Sequence, residues 1–436
     1  MDQHVTRERA SLFRYLGFSI EGTSIVGHYQ LDALEFSERV DFEGIESMER
    51  VGVRGLAQLW YTLAGLSYYK AGAARTVDFA DLVLGERSRR FIEACYLDGL
   101  GEFSFRNSLD LADVRYVGGR EPGWVSAVGA HLNSERVLIP FGGGIDSVVS
   151  VEVLNPSLER ALFIVSPASG RFAPLEATAA ATGLPILRAT RTLDPKITSR
   201  DEQFFQGHVP VSAMYTLLAC VAAAASGRGG VVMSNEHSAS VDNLIWHGRG
   251  INHQWSKSYA AEVALGAAVG ESMGQALRVA SFLRDRSELW VAKVFSELPS
   301  YHGVFRSCNR AFRQIATERS SGWCGECDKC LFIHLMLAPF LPRAALREIF
   351  HGEPLANPAL RAQLATLVGV GVTHKPFECV GDPDECATAL TYVAKLDEWR
   401  DVSHLGELAA LVLAAPPLSA QLEPHGESRV PAHWLR

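Results

Sequence analysis

The sequence predicts an α/β protein built on a doubly wound parallel sheet. An N-terminal α+β region (1–129) precedes it and a mostly helical C-terminal region (336–436) follows, leaving 130–335 for the sheet. Three observations carry this expectation. Short continuous apolar runs occur at Val137–Phe141, Ala161–Val165, Pro185–Leu187 and Val231–Met233. Helical patterns lie between them, at Ser147–Leu154, Pro174–Thr182 and Val211–Ser226. Unbroken apolar runs suit strands covered on both faces, and strand–helix alternation is the pattern of parallel βαβ units. A glycine turn closes the first of these runs, at the carboxyl end where such sheets bind ligands.

The flanking regions read differently. In "LEFSERVDF", Leu34, Phe36, Val40 and Phe42 alternate with Glu35, Ser37, Arg39 and Asp41, which predicts a half-buried strand. Apolar and aromatic residues from Leu56 to Tyr69 follow helical spacing, and a second helix is expected through "RRFIEACYLDG", with Gly99 ending it. Near the other end, Asp382, Pro383 and Glu385 stand as N-cap, N1 and N3 of a helix.

Composition narrows the function. The chain has 436 residues, 47% of them hydrophobic, and a formal net charge of −8 without a basic block, which disfavours a nucleic-acid partner. "MDQHVTRERASLF" has no apolar core, and Val211–Ala225 is too short and too often interrupted for a bilayer. A soluble, cytoplasmic protein without membrane partners is expected. Cys95 and Cys220 stand alone in apolar helical stretches and read as small buried hydrophobes.

The glycine turn is "FGGGIDSVVS". It lacks the Gly-Lys-Ser/Thr end of a Walker loop, and Ser147 stands where a dinucleotide fingerprint needs its last glycine. What remains, Gly142, Gly143, Gly144, then Asp146 and Ser147, resembles the S-G-G-x-D-S loop of the PP-loop ATP pyrophosphatases, with Gly142 replacing the first serine. The physics agrees with an anion site. Glycines let backbone wrap a pyrophosphate, and a helix start supplies partial positive charge. Asp146, itself an anion, makes sense as a partner to Mg²⁺ or to backbone N–H groups.

Further candidates follow. Ser234–Asn235–Glu236 ends another strand, where PP-loop enzymes carry a short Asn-containing motif, so Asn235 is assigned to the nucleotide. His253 and Lys257 lie in a polar stretch beyond it and could clamp carboxylate or phosphate. "RSCNRA" and "GWCGECDKC" supply Cys308, Cys324, Cys327 and Cys330. Four thiolates with two C-x-x-C steps fit a structural Zn²⁺; the iron–sulfur rival needs a fourth Cys followed by Pro where this chain has His334–Leu335. "VTHKPFECVGDPDE" places His374, Lys375, Glu378 and Cys379 on one loop, a concentration of proton-transfer groups.

In this order, "FGGGIDSVVS", "MSNEHSAS", "INHQWSKSY", "GWCGECDKC" and "HKPFECVG" resemble the bacterial UDP-N-acetylmuramoyl-L-alanyl-L-glutamate epimerases of peptidoglycan precursor synthesis. The resemblance implies a reaction in which ATP and Mg²⁺ activate the terminal L-Glu as an acyl-adenylate. AMP and pyrophosphate leave, and the residue becomes D-Glu. Readings from other classes remain open: a PP-loop ligase or amidotransferase forming an amide, and a tRNA-modifying PP-loop enzyme, the latter disfavoured by the acidic balance.

Overall fold

The computed structural model describes residues 7–120, 131–199, 202–313, 316–320, 322–371 and 374–436. The boundary drawn from sequence at 129/130 therefore lies outside the described residues. In chain order the strands are β1 (Leu12–Glu21), β2 (Ser24–Leu31), β3 (Leu34–Glu43), β4 (Thr76–Asp78), β5 (Arg115–Val117) and β6 (Asn133–Pro140). They continue with β7 (Glu159–Pro167), β8 (Ile186–Thr192), β9 (Arg228–Met233), β10 (Leu244–Trp246), β11 (Arg249–Ile251) and β12 (Arg278–Ser281).

Among the described residues ten strands form one sheet, in the order β12-β9-β6-β7-β8-β3-β2-β1-β4-β5, and β10 and β11 form a separate ribbon. The five strands from β12 to β8 are mutually parallel. From β6 the chain moves outward through β7 and β8, then returns to lay β9 and β12 on the other side. The order thus reverses between β6 and β9, and a crevice at such a switch point opens beyond the carboxyl ends of both strands.

The N-terminal meander β1–β2–β3 is joined edge to edge with this sheet, because β3 pairs antiparallel with β8 from Arg39/Thr192 to Glu43/Arg188. Phe36, Val40 and Phe42 are buried as their alternation predicts, whereas Leu34, at the strand's start, is exposed. Glu38 lies on the apolar face as well. It is buried against Arg191 of β8, whose Nη2 also donates to Ser67 Oγ at 3.0 Å. A buried carboxylate needs such a partner, and the nearest one is 153 positions away.

Side chains alternate across the sheet, so β6 feeds two cores: Leu138 packs with the aromatic N-terminal core, Val137 and Ile139 with the core under the C-terminal helices. The first core is roofed by the helices Val53–Ala64, Glu86–Leu97 and Val211–Ala225. The second takes the helices Ile145–Val153, Glu288–Ser296, Asp328–Leu337 and Pro383–Val393. In the last of these, Asp382 accepts from Glu385 N and Pro383 stands at N1, as expected. No helix among the described residues is long and apolar enough to cross a membrane.

Candidate active site

The glycine turn leaves β6 at the switch point. Gly143 has φ +75°, a conformation that L side chains rarely adopt, and a Cβ there would press on Leu175. Gly144 is the N-cap of helix Ile145–Val153, and a Cβ on it would stand 2.7 Å from Ser307 Oγ. As at any helix start, the first N–H groups have no partner within the helix. Gly142 is exposed, and the Ser147 hydroxyl donates to Gly144 O at 3.0 Å.

Asp146 occupies the first helical turn but does not simply face water. It is half-buried, and its Oδ1 is shut off from solvent without a hydrogen-bond partner. Glu236, from the end of β9, and Glu288, from the start of helix Glu288–Ser296, each bring a carboxylate oxygen close. The three ligand atoms lie within 4.8 Å of one another. Glu288 is 2% exposed, and its Oε2 is likewise buried and unpartnered. Burial, then Glu236, raises Asp146 to about 6, against the lowering pull of Lys329 and Lys257. Burial and the charges of Asp146 and Glu236 push Glu288 well above the ordinary carboxylate value. Crowded, unsatisfied carboxylate oxygens form a hard donor set that a divalent cation would complete.

A second cluster adjoins the first. Cys379 is half-buried, with Lys257 Nζ at 3.5 Å and His253 Nε2 at 3.8 Å from its Sγ. Burial alone would raise the thiol, but Lys257 and His253 outweigh it and bring Cys379 down to about 6. Burial would lower His253, yet its bonds to Cys379 and to Glu102 raise it to about 9. Lys257 is held charged: burial lowers it, and Cys379, Glu236 and Asp146 more than compensate. This one ammonium therefore links the carboxylate cluster to the thiol.

The loop carrying Cys379 is pinned by its backbone. Asn243 Nδ2 donates to Pro376 O at 2.6 Å, Gln254 Nε2 to Val380 O at 3.2 Å, and Asn243 Oδ1 accepts from His253 N at 2.7 Å. Glu378 accepts from Asn309 Nδ2 at 2.7 Å, and burial raises its carboxyl. Lys375 is buried, and burial lowers it. His374 faces outward, with Nδ1 3.1 Å from the carbonyl of Lys375. Asn235 donates to Ser281 Oγ at 3.0 Å, tying the ends of β9 and β12.

Cys308, Cys324, Cys327 and Cys330 each offer a sulfur within 4.8 Å of the others, at 3.7 Å for 324/330 and 3.4 Å for 327/330. Tetrahedral Zn–S bonds of about 2.3 Å place sulfurs about 3.8 Å apart, so the quartet fits Zn²⁺. Two neighbours of these ligands reach the site. Lys329, between Cys327 and Cys330, is buried and faces Asp146 and Cys379, and Asn309, beside Cys308, holds Glu378.

Glu102, Glu288 and His208, which the structure brings beside the site's groups as it does Lys329, belong to no motif in the sequence. Glu288 sits in the first turn of its helix after the cap Ser287, where an acid is ordinary. Lys329 was legible only as a cation inside a metal motif.

Fold and site together define a mixed α/β protein in which a glycine turn at a helix start, a buried carboxylate cluster and a Cys379–His253 thiol–imidazole contact gather near one switch point. Family models place it further: the MurL N-terminal domain matches residues 4–282 and the MurL C-terminal domain residues 304–422. Three relatives bear the name UDP-N-acetyl-alpha-D-muramoyl-L-alanyl-L-glutamate epimerase. That of Salinispora tropica is 38% identical over 399 residues, 89% of this chain and 85% of the relative. That of a Micromonospora species is 39% identical over 387 residues (87% and 84%), and that of Xanthomonas oryzae pv. oryzae 35% over 394 (88% and 86%). The chain belongs to the MurL family.

Proposed function

We propose that the protein is an isomerase that converts the terminal L-Glu of UDP-N-acetylmuramoyl-L-alanyl-L-glutamate to D-Glu, in the cytoplasm, during peptidoglycan precursor synthesis. In this reading ATP activates the α-carboxylate as an acyl-adenylate, with release of pyrophosphate and then AMP. The carrying observation is that Lys257 lies 3.5 Å from the Cys379 thiol and also feels the charges of Asp146, at the end of the glycine turn, and of Glu236.

The chemistry requires both halves. Removing Cα–H beside a free carboxylate would pile negative charge on negative charge. An acyl-adenylate removes that charge, and its carbonyl can accept enolate character. The backbone of Gly142, Gly143 and Gly144, the Ser147 end of the turn and Asn235 would receive the nucleotide. The order β8-β7-β6-β9-β12, with the turn after its central strand, supports a PP-loop ATP pyrophosphatase type of sheet. Asp146, Glu236 and Glu288 would hold Mg²⁺, which neutralises phosphate charge as pyrophosphate departs. Cys308, Cys324, Cys327 and Cys330 would hold Zn²⁺, a staple that fixes Lys329 and Asn309 at the site.

Cys379 would take or return the Cα proton. A thiolate near 6 is formed at neutral pH and remains basic enough to act. Glu378 is the lesser candidate, since its carboxyl is raised and engaged by Asn309.

Incubating the protein with ATP, Mg²⁺ and the L-Glu dipeptide nucleotide tests the proposal. D-Glu should appear on chiral analysis only when AMP and pyrophosphate are also formed. AMP accompanied by an amide product, with Glu still L, would favour a ligase instead.

Two further outcomes are expected. Activity against pH should be bell-shaped, rising through about 6 as Cys379 ionises and falling through about 9 as His253 loses its proton. The two limbs belong to the pair rather than to either residue alone. A flat profile from about pH 5 to 10 in single-turnover measurements would contradict the thiolate assignment. For the quartet, elemental analysis should find one zinc per chain. Cys327→Ser should lose it and lower the thermal midpoint by roughly 5 °C or more. Full zinc occupancy and unchanged stability in that variant would reject the staple.

A further inference from the structure

Glu102 lies in none of the segments that carry the site's motifs. It sits in the first turn of helix Gly101–Asn107, in the N-terminal region, and is buried. Its two oxygens are divided: Oε1 accepts from Arg106 Nε and Oε2 meets Nδ1 of His253 at 2.5 Å. The opposite ring nitrogen, Nε2, faces Cys379 Sγ. Residues 102, 253 and 379 thus form a continuous carboxylate–imidazole–thiol line drawn from three distant parts of the chain. Asn243 holds the His253 backbone, so the ring is fixed at its root and at its Nδ1.

We infer that Glu102 is a positioning residue for the proton-transfer step: it sets the His253 ring with Nε2 toward Cys379 and balances the charge that the ring carries beside a thiolate. This rests on the reading that Cys379 moves the Cα proton. A neutral imidazole has one N–H, and with Nδ1–H given to Glu102, Nε2 is left to accept. The thiol proton passes to Nε2, leaving a thiolate and an imidazolium. A carboxylate at hydrogen-bond distance from Nδ1 favours that charged form.

The surrounding charges limit the effect. Lys257 and Lys329 also favour the thiolate, while Asp146 and Glu378 face it as acids. Arg106 faces Glu102 itself. His208 lies with its ring centre 4.4 Å from that of His253, and burial and the His253 charge lower it to about 4, so it adds no competing cation at neutral pH. Two lysines stay with the sulfur whatever happens at Glu102, so its loss should weaken the pair without erasing it.

The test is the pH dependence of iodoacetamide alkylation at Cys379, followed on its own peptide by mass spectrometry, with no ATP present. Glu102→Gln keeps an acceptor for Nδ1–H but removes the charge. Its alkylation midpoint should rise by about one pH unit, slowing reaction below the wild-type midpoint about tenfold. Epimerisation kcat should fall with it, while KM for the dipeptide nucleotide stays within about twofold. Glu102→Asp, which keeps the charge, should hold its midpoint near wild type, and it carries the test if Glu102→Gln does not fold. An unmoved midpoint in Glu102→Gln, or an equal shift in Glu102→Asp, overturns the inference. If Cys379→Ala epimerises normally, the reading of the proton step falls instead, whatever the alkylation shows.

Discussion

Asp146→Ala is expected to abolish AMP and pyrophosphate release while the protein stays folded. The residue's Oδ1 is buried without a partner beside Glu236 and Glu288, at the first turn after the glycine loop. Removing it takes away one of three oxygens suited to Mg²⁺ where pyrophosphate would rest, and a loss of about a thousandfold in ATP turnover is expected. Stability should move the other way. The folded-state value of Asp146, about 6, lies above its ordinary 3.8, so folding favours the protonated form. The cost of the crowded carboxylates is therefore full above about pH 6, declines as pH falls, and is gone below about 4. Metal-free Asp146→Ala should unfold at the wild-type temperature or slightly above it at pH 7, with the gain shrinking toward pH 4. Turnover near wild type would refute the assignment of the glycine turn to ATP. A large loss of stability at pH 7 would refute the crowding.

Cys379→Ala is expected to separate the two halves of the reaction. In D₂O the wild-type enzyme should introduce solvent deuterium at the Glu Cα as the D-epimer forms. The variant should still release pyrophosphate but lose about 10²- to 10⁴-fold in deuterium incorporation, the usual worth of a positioned acid–base group. Nucleotide activation should survive, because the glycine turn, Asn235 and the carboxylate cluster proposed to serve it are untouched. Lys257 keeps Gln254 Oε1 at 3.1 Å and its attraction to Asp146 and Glu236. Glu378→Gln should lose far less, since that carboxyl is raised and bonded to Asn309. Normal exchange in Cys379→Ala would move the base elsewhere, first to His253 and Lys257.

The parts of the molecule that were legible in its sequence are those set by neighbours along the chain. Alternation exposed the buried face of β3, unbroken apolar runs exposed four of the five parallel strands but not the short β12, and Asp382–Pro383 marked a helix start where one occurs. The glycine turn could be read because its geometry demands local chemistry: a positive φ at Gly143 and close approach at Gly144. What escaped depends on distant partners. Glu102 looks like any acid in a first turn until His253, 151 positions away, meets it. Glu38 breaks the polar–apolar alternation without explanation until Arg191 arrives across the β3–β8 junction. Within the loop "HKPFECVG" the sequence offered four proton-transfer groups, His374, Lys375, Glu378 and Cys379. Burial and neighbours separate them: His374 faces outward, Glu378 is engaged by Asn309, and Cys379 faces two cations.

Oxygen labelling distinguishes activation of the carboxylate next to the reacting Cα by adenylation from every other route. The dipeptide nucleotide would be prepared with ¹⁸O in the α-carboxylate of its terminal L-Glu and turned over with unlabelled ATP in ordinary water. Attack of that carboxylate on the α-phosphorus, followed by hydrolysis at the acyl carbon, leaves one carboxylate oxygen on the phosphate of AMP. One ¹⁸O should appear in AMP for each D-Glu formed, and none in pyrophosphate. Epimerisation with unlabelled AMP, or with the label in inorganic phosphate or pyrophosphate, would contradict it.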